Sequence, residues 1–499
     1  MPLNTLSHSP PATPASWVLT PLSVALLLLL AFGLVWSGSY ALTAFSPGTD
    51  NIEQLVWVRS LEWGYYKHPP LTTWLLGAAA AVFGPSVGLT YVLGTLVTLA
   101  ALGLFWALLR SLRGAPYATL ATLAALCITF YNGRLYYFNH NVVLTLWVAC
   151  AVVLTWRVTQ RPQISTWVLL GLVSGLGLLT KYQFVLALAA MGLWWLHLRG
   201  WRHPIHRQGA LWAAVCALAV CAPHFHWLQT QGWMPFAYAR SASLGAALEG
   251  AQRVGVALEF TLDWWLNRAL PAWLLLWCAL GWRRSAPSPN DAATPARPGD
   301  ESQVRAFLLC WAVVPWACMV LLGLGWGVAL EPHWGTPFAL WTVAGVLELL
   351  RRWRPLGRAP QLRRAWLAFA VIQTLLLAQF LAASPVGLPN YKASHQNRFP
   401  AQHLAQQIAP AARQALGGPI DILVGPQFLA GNIAVHLPEQ PRVLVDGHLR
   451  YSPWIQAEEL ATARVLEVAP VPPPEQLQPG GWQVYQHWAW RPWQAPAPQ

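Results

Sequence analysis

The chain has 499 residues, of which 56% are hydrophobic and only 10% charged, with a formal net charge of +13. Apolar runs at or beyond the ~20 residues needed to cross about 30 Å of hydrocarbon recur along it, which excludes a purely soluble protein. The basic excess is dispersed in short arginine clusters between those runs, not gathered on one polar face, so nucleic acid is excluded as a partner and a lipid bilayer is implied.

By the positive-inside rule the clusters Arg110/Arg113, Arg157/Arg161, Arg199/Arg202/Arg207, Arg283 to Arg305 and Arg351 to Arg364 mark cytoplasmic loops. All three lysines, Lys67, Lys181 and Lys392, fall outside them. Residues 1–16 lack the basic region of a signal peptide and read as a cytoplasmic tail. Trp17–Trp36 reads as a retained first span. An external loop, 37–85, follows, with an interfacial helix at Leu71–Phe83. Further spans are expected at Val87–Leu109, Tyr117–Phe130, Leu135–Trp156, two within Ile164–Leu198 with an external turn near Lys181, Ala210–Phe225, Leu270–Trp282, Ala306–Gly325, Pro337–Leu350 and Ala365–Leu381. An external loop is expected between Phe225 and about Glu259, and a cytoplasmic linker over Arg283–Gln303. Residues 17–383 thus form a polytopic α-helical membrane domain of about eleven spans. Many of the 32 tryptophans sit near the ends of the runs, as an interfacial aromatic belt does. The seven cysteines all lie in apolar runs and suggest neither a disulfide framework nor a Cys-based metal site.

Residues 384–499 change character. Strand-like runs at Ile420–Val424, Arg442–Val445 and Trp482–Tyr485, a helical pattern at Ala401–Leu416 and a Pro-rich loop at Val471–Pro479 predict a small α/β extracytoplasmic domain. The alternation of loops puts the N-terminus in the cytoplasm and this domain in the periplasm.

The first 248 residues contain only three carboxylates, Asp50, Glu53 and Glu62, all within 13 positions of the first external loop. Ionisable groups at a bilayer surface in so apolar a chain are functional candidates by default. If Asp50 to Leu61 is helical, Asp50, Glu53, Gln54, Trp57 and Leu61 share a face, with Arg59 and Glu62 off it. Asp50 as N-cap with Glu53 three residues on is a capping-box variant that needs no chemistry. Gly64-Tyr65-Tyr66-Lys67-His68-Pro69-Pro70-Leu71 follows; its two prolines force an extended chain that would hold Lys67 and His68 beside the membrane. Lys67 could bind a phosphate or simply snorkel. His68 could act there or pack in a turn. Asn139-His140-Asn141 could bind sugar hydroxyls or form a polar helix end. His224 and His226, two apart, do not share a helix face and read as interfacial histidines before metal ligands.

The loop resembles the first periplasmic loop of bacterial protein O-mannosyltransferase-like glycosyltransferases of the GT-C superfamily, a group that includes the lipid A aminoarabinose transferases. The family pattern is an Asp-Glu pair, a Trp-bearing helix, Gly-Tyr-Tyr, an acidic or basic residue, His or Lys, and Pro-Pro-Leu. Here it stands as Asp50, Trp57, Gly64-Tyr65-Tyr66, Lys67-His68 and Pro69-Pro70-Leu71. Phe138 to Leu144, Gly177 to Tyr182 and His333-Trp334-Gly335-Thr336-Pro337 resemble later elements of the group. Three positions depart: the second acid of the pair is Asn51, the acid before His-Pro-Pro is Lys67, and the second-loop acid is Asn141. These departures leave a divalent metal cofactor an open question. Tyr451-Ser452-Pro453-Trp454 is also familiar from relatives but carries no role.

The resemblance implies transfer of a sugar from a polyprenyl-phosphate donor to a hydroxyl or phosphate of lipid A, a glycolipid or a protein, with inversion, at the periplasmic face of a bacterial inner membrane. It points to Asp50 as general base with Glu53 as helper. The substrate-binding candidates are Arg59, Tyr65, Tyr66, Lys67, His68, Asn139, His140, Asn141, Lys181 and His333, with Lys67 and Lys181 ranked first for the phosphate. A flippase for a lipid-linked sugar is the competing reading, although such carriers show inverted repeats and acids inside their spans, and neither is found. A non-catalytic scaffold would leave the loop acids unexplained.

Overall fold

The computed structural model describes residues 19–132, 137–281, 298–471 and 481–493. The expected tail 1–16, most of the linker 283–303 and most of the Pro-rich loop 471–479 lie outside the described residues.

Helix α1 (Pro21–Thr43) starts as its sequence chemistry asks. Thr20 Oγ1 accepts the Ser23 N–H at 3.1 Å, and Pro21 sits where a missing N–H has no consequence. The external loop then holds α2 (Thr49–Trp57) and α3 (Leu71–Phe83). The membrane region continues with α4 (Val87–Arg113), α5 (Ala115–Ala125), α6 (His140–Gln160), α7 (Ile164–Thr180), α8 (Val185–His197) and α9 (Pro204–Thr230). After these come α10 (Met234–Ala239), α11 (Gly250–Leu262), α12 (Leu270–Leu280), α13 (Pro298–Trp326), α14 (Ala339–Leu350) and α15 (Ala359–Ala383).

Among the described residues six helices, α1, α4, α6, α9, α13 and α15, are long and apolar enough to cross a membrane. Beside them stand shorter apolar helices, among them α3, α7, α8 and α14, so length and composition bear out six of the about eleven expected spans. The third span is the clearest difference. It was expected to reach Phe130, but α5 stops at Ala125, and the Thr129 N–H pairs with the Arg268 carbonyl instead. Ile128, Thr129 and Phe130 are poor helix formers, so the tertiary partner wins. The region after Phe225 is also no plain loop: α9 runs on to Thr230, and α10, a π-turn at Arg240–Leu244 and α11 occupy the rest.

Close helix packing follows from small residues. At Gly171 of α7 an added Cβ would lie 2.3 Å from the Ala213 carbonyl oxygen of α9, so only glycine permits this approach. A buried bidentate pair, Arg113 with Glu348, ties α4 to α14 through bonds of 2.9 and 2.7 Å.

The C-terminal unit contains α16 (Ala401–Leu416), β1 (Ile422–Gly425), α17 (Gln427–His436), β2 (Arg442–Val445), β3 (Val465–Pro470), β4 (Gln483–Tyr485) and β5 (Trp488–Pro492). The sheet order is β2-β1-β3-β5-β4, with β1 parallel to β2 and β3, and β5 antiparallel to β3 and β4. Its core does not end at its own elements. One continuous buried cluster joins Ile52, Leu55, Val56 and Trp57 of α2 to Leu404, Ile408, Leu429, Ile433 and the strands.

Candidate active site

Helix α2 is placed by three contacts. Asn51 Nδ2 donates to Thr90 Oγ1 of α4 at 2.7 Å, Thr73 Oγ1 of α3 donates to Gln54 Oε1 at 2.8 Å, and α17 lies across its outer side. The N-cap of α2 is Gly48, which makes no side-chain cap, so the capping-box reading of Asp50 and Glu53 is overturned. Asp50 sits in the first turn, where the positive end of the helix dipole favours its charge. The helix ends at Trp57, so Leu61 leaves the expected face and is exposed.

Half-buried Asp50 accepts a hydrogen bond through Oδ2 from Asn139 Nδ2 at 2.7 Å. Asn139 is itself fixed, because its Oδ1 caps α6 by accepting from the Val142 N–H at 2.9 Å. The helix-end reading of Asn139 is thus seen directly, and the same side chain turns its Nδ2 to Asp50. Two residues on, buried Asn141 accepts through Oδ1 from Lys181 Nζ at 2.6 Å. Lys181 occupies the turn between α7 and α8, and among the described residues no carboxylate forms an ion pair with it. Burial pushes its ammonium down to about 8, and the charge of Asp50 opposes that shift.

The loop Tyr65 to His68 closes on itself, each of the two residues donating its N–H to the other's carbonyl, at 2.9 and 3.2 Å. Tyr65 stacks on Trp57 with centroids 4.7 Å apart and donates its hydroxyl to the Ser60 carbonyl. Its hydroxyl is thus committed to bracing the loop. Lys67 Nζ reaches Glu53 at 2.7 Å. Burial would lower the Lys67 ammonium, but the Glu53 carboxylate holds it above its ordinary range; burial pushes Glu53 itself up. The 2.7 Å contact leaves Glu53 occupied by Lys67. His68 lies beside His140, rings 4.0 Å apart, and burial together with His140 and Lys181 holds it well below the usual histidine range, hence neutral. His140 bonds the Pro69 carbonyl, and its Nε2 has no partner among the described residues.

Glu53, His68 and His140 bring ligand atoms within 4.8 Å of one another, a grouping that could hold a divalent ion. The Lys67 ammonium already sits on that carboxylate, so a cation there would have to displace it. His224 is engaged at both ring nitrogens, by the Trp63 carbonyl at 2.5 Å and the Tyr182 hydroxyl at 2.9 Å, which removes the His224–His226 alternative.

His333 is half-exposed, 3.9 Å from Glu331, and within electrostatic reach of His68; its neighbour Trp334 places its ring 6.0 Å from Lys181 Nζ. Arg59 stands apart, exposed and donating to Gln440 at 3.2 Å. The residue that sequence reasoning missed is Gln427, at the start of α17. In the amide orientation that satisfies all neighbours it donates to the Tyr66 hydroxyl and Glu53 Oε2, at 3.1 and 3.2 Å, and accepts from Trp57 Nε1 at 3.0 Å. Nothing near Gln427 in sequence signals this. Gln183, a polar residue in an apolar run two positions after Lys181, did carry a signal; it donates to the Trp334 carbonyl at 2.7 Å.

Residues 67–227 match the family model described as dolichyl-phosphate-mannose-protein mannosyltransferase. The crystal structure of ArnT from Cupriavidus metallidurans bound to undecaprenyl phosphate superimposes with a TM-score of 0.60 over 93% of this chain and 97% of that one, at 15% identity. The chain has the GT-C fold of ArnT. In sequence it is 28% identical over 265 residues to the undecaprenyl phosphate-alpha-4-amino-4-deoxy-L-arabinose arabinosyl transferase of Pseudomonas aeruginosa, covering 51% of this chain and 45% of the relative. It is 28% identical over 217 residues to the lipopolysaccharide core galacturonosyltransferase RgtA of Rhizobium johnstonii, covering 42% of each. The chain therefore spans less than half the length of these two relatives. The resemblance drawn from the first loop is borne out, and with it an ArnT-like, multi-pass helical architecture carrying a small C-terminal sheet.

Proposed function

We propose that this protein is an inverting glycosyltransferase that moves a sugar from a polyprenyl-phosphate donor to an acceptor on the periplasmic face of a bacterial inner membrane. The N-terminus is then cytoplasmic, 17–383 forms the transmembrane transferase domain, and 384–499 is periplasmic. The observation that carries the reading is an oriented carboxylate within electrostatic reach of a cation that, among the described residues, forms no ion pair with a carboxylate. Asp50 is aimed by Asn139, and Lys181 is aimed by the neighbouring Asn141.

In this reading the acceptor hydroxyl attacks the anomeric carbon as Asp50 takes its proton. The bond from that carbon to the phosphate oxygen breaks, and its electron pair leaves with the polyprenyl phosphate. Lys181 balances the developing phosphate charge, where a preorganised cation is most effective. Lys67 is held by Glu53 and orders the loop, so Glu53 supports and Asp50 abstracts. Relatives named as lipopolysaccharide core and lipid A galacturonosyltransferases make lipid A or another glycolipid the first acceptor to try.

The test is release of free polyprenyl phosphate by the purified protein given undecaprenyl-phosphate sugars and lipid A. Asp50→Asn should lose roughly 10²–10⁴-fold in turnover while keeping donor affinity. Full turnover by a folded Asp50→Asn protein would remove the base assignment. Movement of the lipid-linked sugar across vesicles without release of carrier would remove the transferase reading and favour the flippase.

A further inference from the structure

A cavity of about 540 Å³ opens where the external loop meets the C-terminal unit, lined among others by Tyr66, Tyr238, His448, Arg450 and Tyr451. This volume falls within the ~300–1,000 Å³ of small-molecule sites. Its walls come from three distant stretches of chain. Tyr66 and Tyr451 stack at 4.3 Å with planes 17° apart, and Tyr238 meets Tyr66 edge-on at 5.8 Å. Behind two of its lining rings stands Lys67 Nζ, 5.2 Å from the Tyr66 ring centre and 5.5 Å from that of Tyr238, which ties the cavity wall to the Glu53–Lys67 pair.

At the outer rim Arg450 is exposed. Its guanidinium makes one long bond, 3.5 Å, to the Gln231 carbonyl, and among the described residues no carboxylate pairs with it. His448 packs its ring 5.0 Å from that of Tyr451. The acid nearby is Asp446, within the fields of His448 and Lys67. Aromatic faces are suited to the C–H faces of a sugar ring, and an unpaired guanidinium is suited to bidentate recognition of phosphate or carboxylate.

We propose that this cleft binds the acceptor, as the anionic, phosphate- or carboxylate-bearing sugar headgroup of a glycolipid, with the face of Tyr451 turned away from buried Tyr66 as the stacking platform, Tyr66 as its backing, and Arg450 as the anion contact. It rests on the transferase reading and assigns a role to the Tyr451-Ser452-Pro453-Trp454 element. Ser452 and Trp454 hold Tyr451 in place, Ser452 Oγ accepting from the Val445 N–H at 2.9 Å and Trp454 Nε1 donating to the Val443 carbonyl at 2.8 Å.

The test is equilibrium binding to the full-length protein in detergent micelles, which requires no turnover. The probes are lipid A, its dephosphorylated form, an acidic peptide and undecaprenyl phosphate. Arg450→Ala and Tyr451→Ala should each weaken lipid A binding by roughly tenfold, the scale of one hydrogen bond to a charged group, and leave undecaprenyl phosphate affinity unchanged. Arg450→Lys should fall between. The dephosphorylated lipid should bind the wild type as weakly as lipid A binds Arg450→Ala. Equal binding of the two lipids, unchanged affinity in both variants, or tighter binding of the acidic peptide would overturn the proposal. Selective lipid A binding by a protein that releases no polyprenyl phosphate would instead overturn the transferase reading and leave the cleft standing.

Discussion

Lys181 is held in an unusual balance: partly buried, hydrogen-bonded to a neutral amide, and supported by Asp50 only through space. With its ammonium pushed down to about 8, the cation is fully present below that pH and is lost as pH rises through it. Transfer should therefore fall on the alkaline side of about pH 8. Lys181→Arg keeps the charge at all accessible pH values and should move that limb upward, even if the altered geometry lowers the plateau. Lys181→Met should lower the plateau and abolish the alkaline limb, because no ammonium is left at 181 to titrate. A pH–rate profile in which wild type and Lys181→Arg share one alkaline limb would show that some other group titrates there. The sequence marks Lys181 and Asp50 because each is rare in so apolar a chain. It does not mark the pairing of Lys67 with Glu53, which depends on how a proline-bounded loop folds back over α2. It marks Gln427 even less, because that residue lies 360 positions from Lys67 along the chain.

Helix α2 is short, and its orientation is inherited from what lies on it. The tightest contact is at Gly431 of α17, where an added Cβ would fall 2.3 Å from Ile52 Cγ2 and 3.1 Å from Val56 Cγ2. Gly431→Leu should overpack this crossing, costing about 1–3 kcal/mol and tilting Asp50 and Glu53 together. A thermal melt and a turnover assay would report this as a lowered midpoint with a drop in kcat larger than the change in donor affinity. A variant with lowered stability but unaltered turnover would mean that α2 is positioned from the membrane side alone, through Asn51 and Gln54. The long apolar helices are legible because a membrane demands length and composition. The strands β1, β2 and β4 follow runs visible in the sequence, whereas β3 and β5 are missed. Val465–Pro470 and Trp488–Pro492 each carry a charge and end in proline, which blurs the strand pattern. Helix α17 is almost wholly buried along its length and so lacks the two-faced pattern by which a surface helix is recognised.

At the scale of the molecule, the C-terminal unit is a roof and not an appendage. Its core is continuous with α2, its Gln427 reaches the Glu53–Lys67 pair, and its Tyr451 stacks on Tyr66 of the reaction loop. Composition alone marks residues 384–499 as different in kind, because polarity and strand pattern change there. It cannot reveal that the boundary in composition is not a boundary in packing. Removing 384–499 would uncover Ile52 and Val56, which are 0% and 5% exposed. Uncovering those two side chains would cost about 3–6 kcal/mol at the usual value per buried side chain, a large share of the ~5–15 kcal/mol that holds a domain together. The truncated protein should still insert in the membrane, since α1 through α15 precede the cut, yet lose turnover. Supplying residues 384–499 as a separate chain in the same cell should restore part of it, because the buried cluster and not the covalent link makes the roof. Turnover by the truncated membrane domain at the full-length rate would mean that α2 keeps its geometry uncovered, and that the acceptor needs neither Arg450 nor Tyr451.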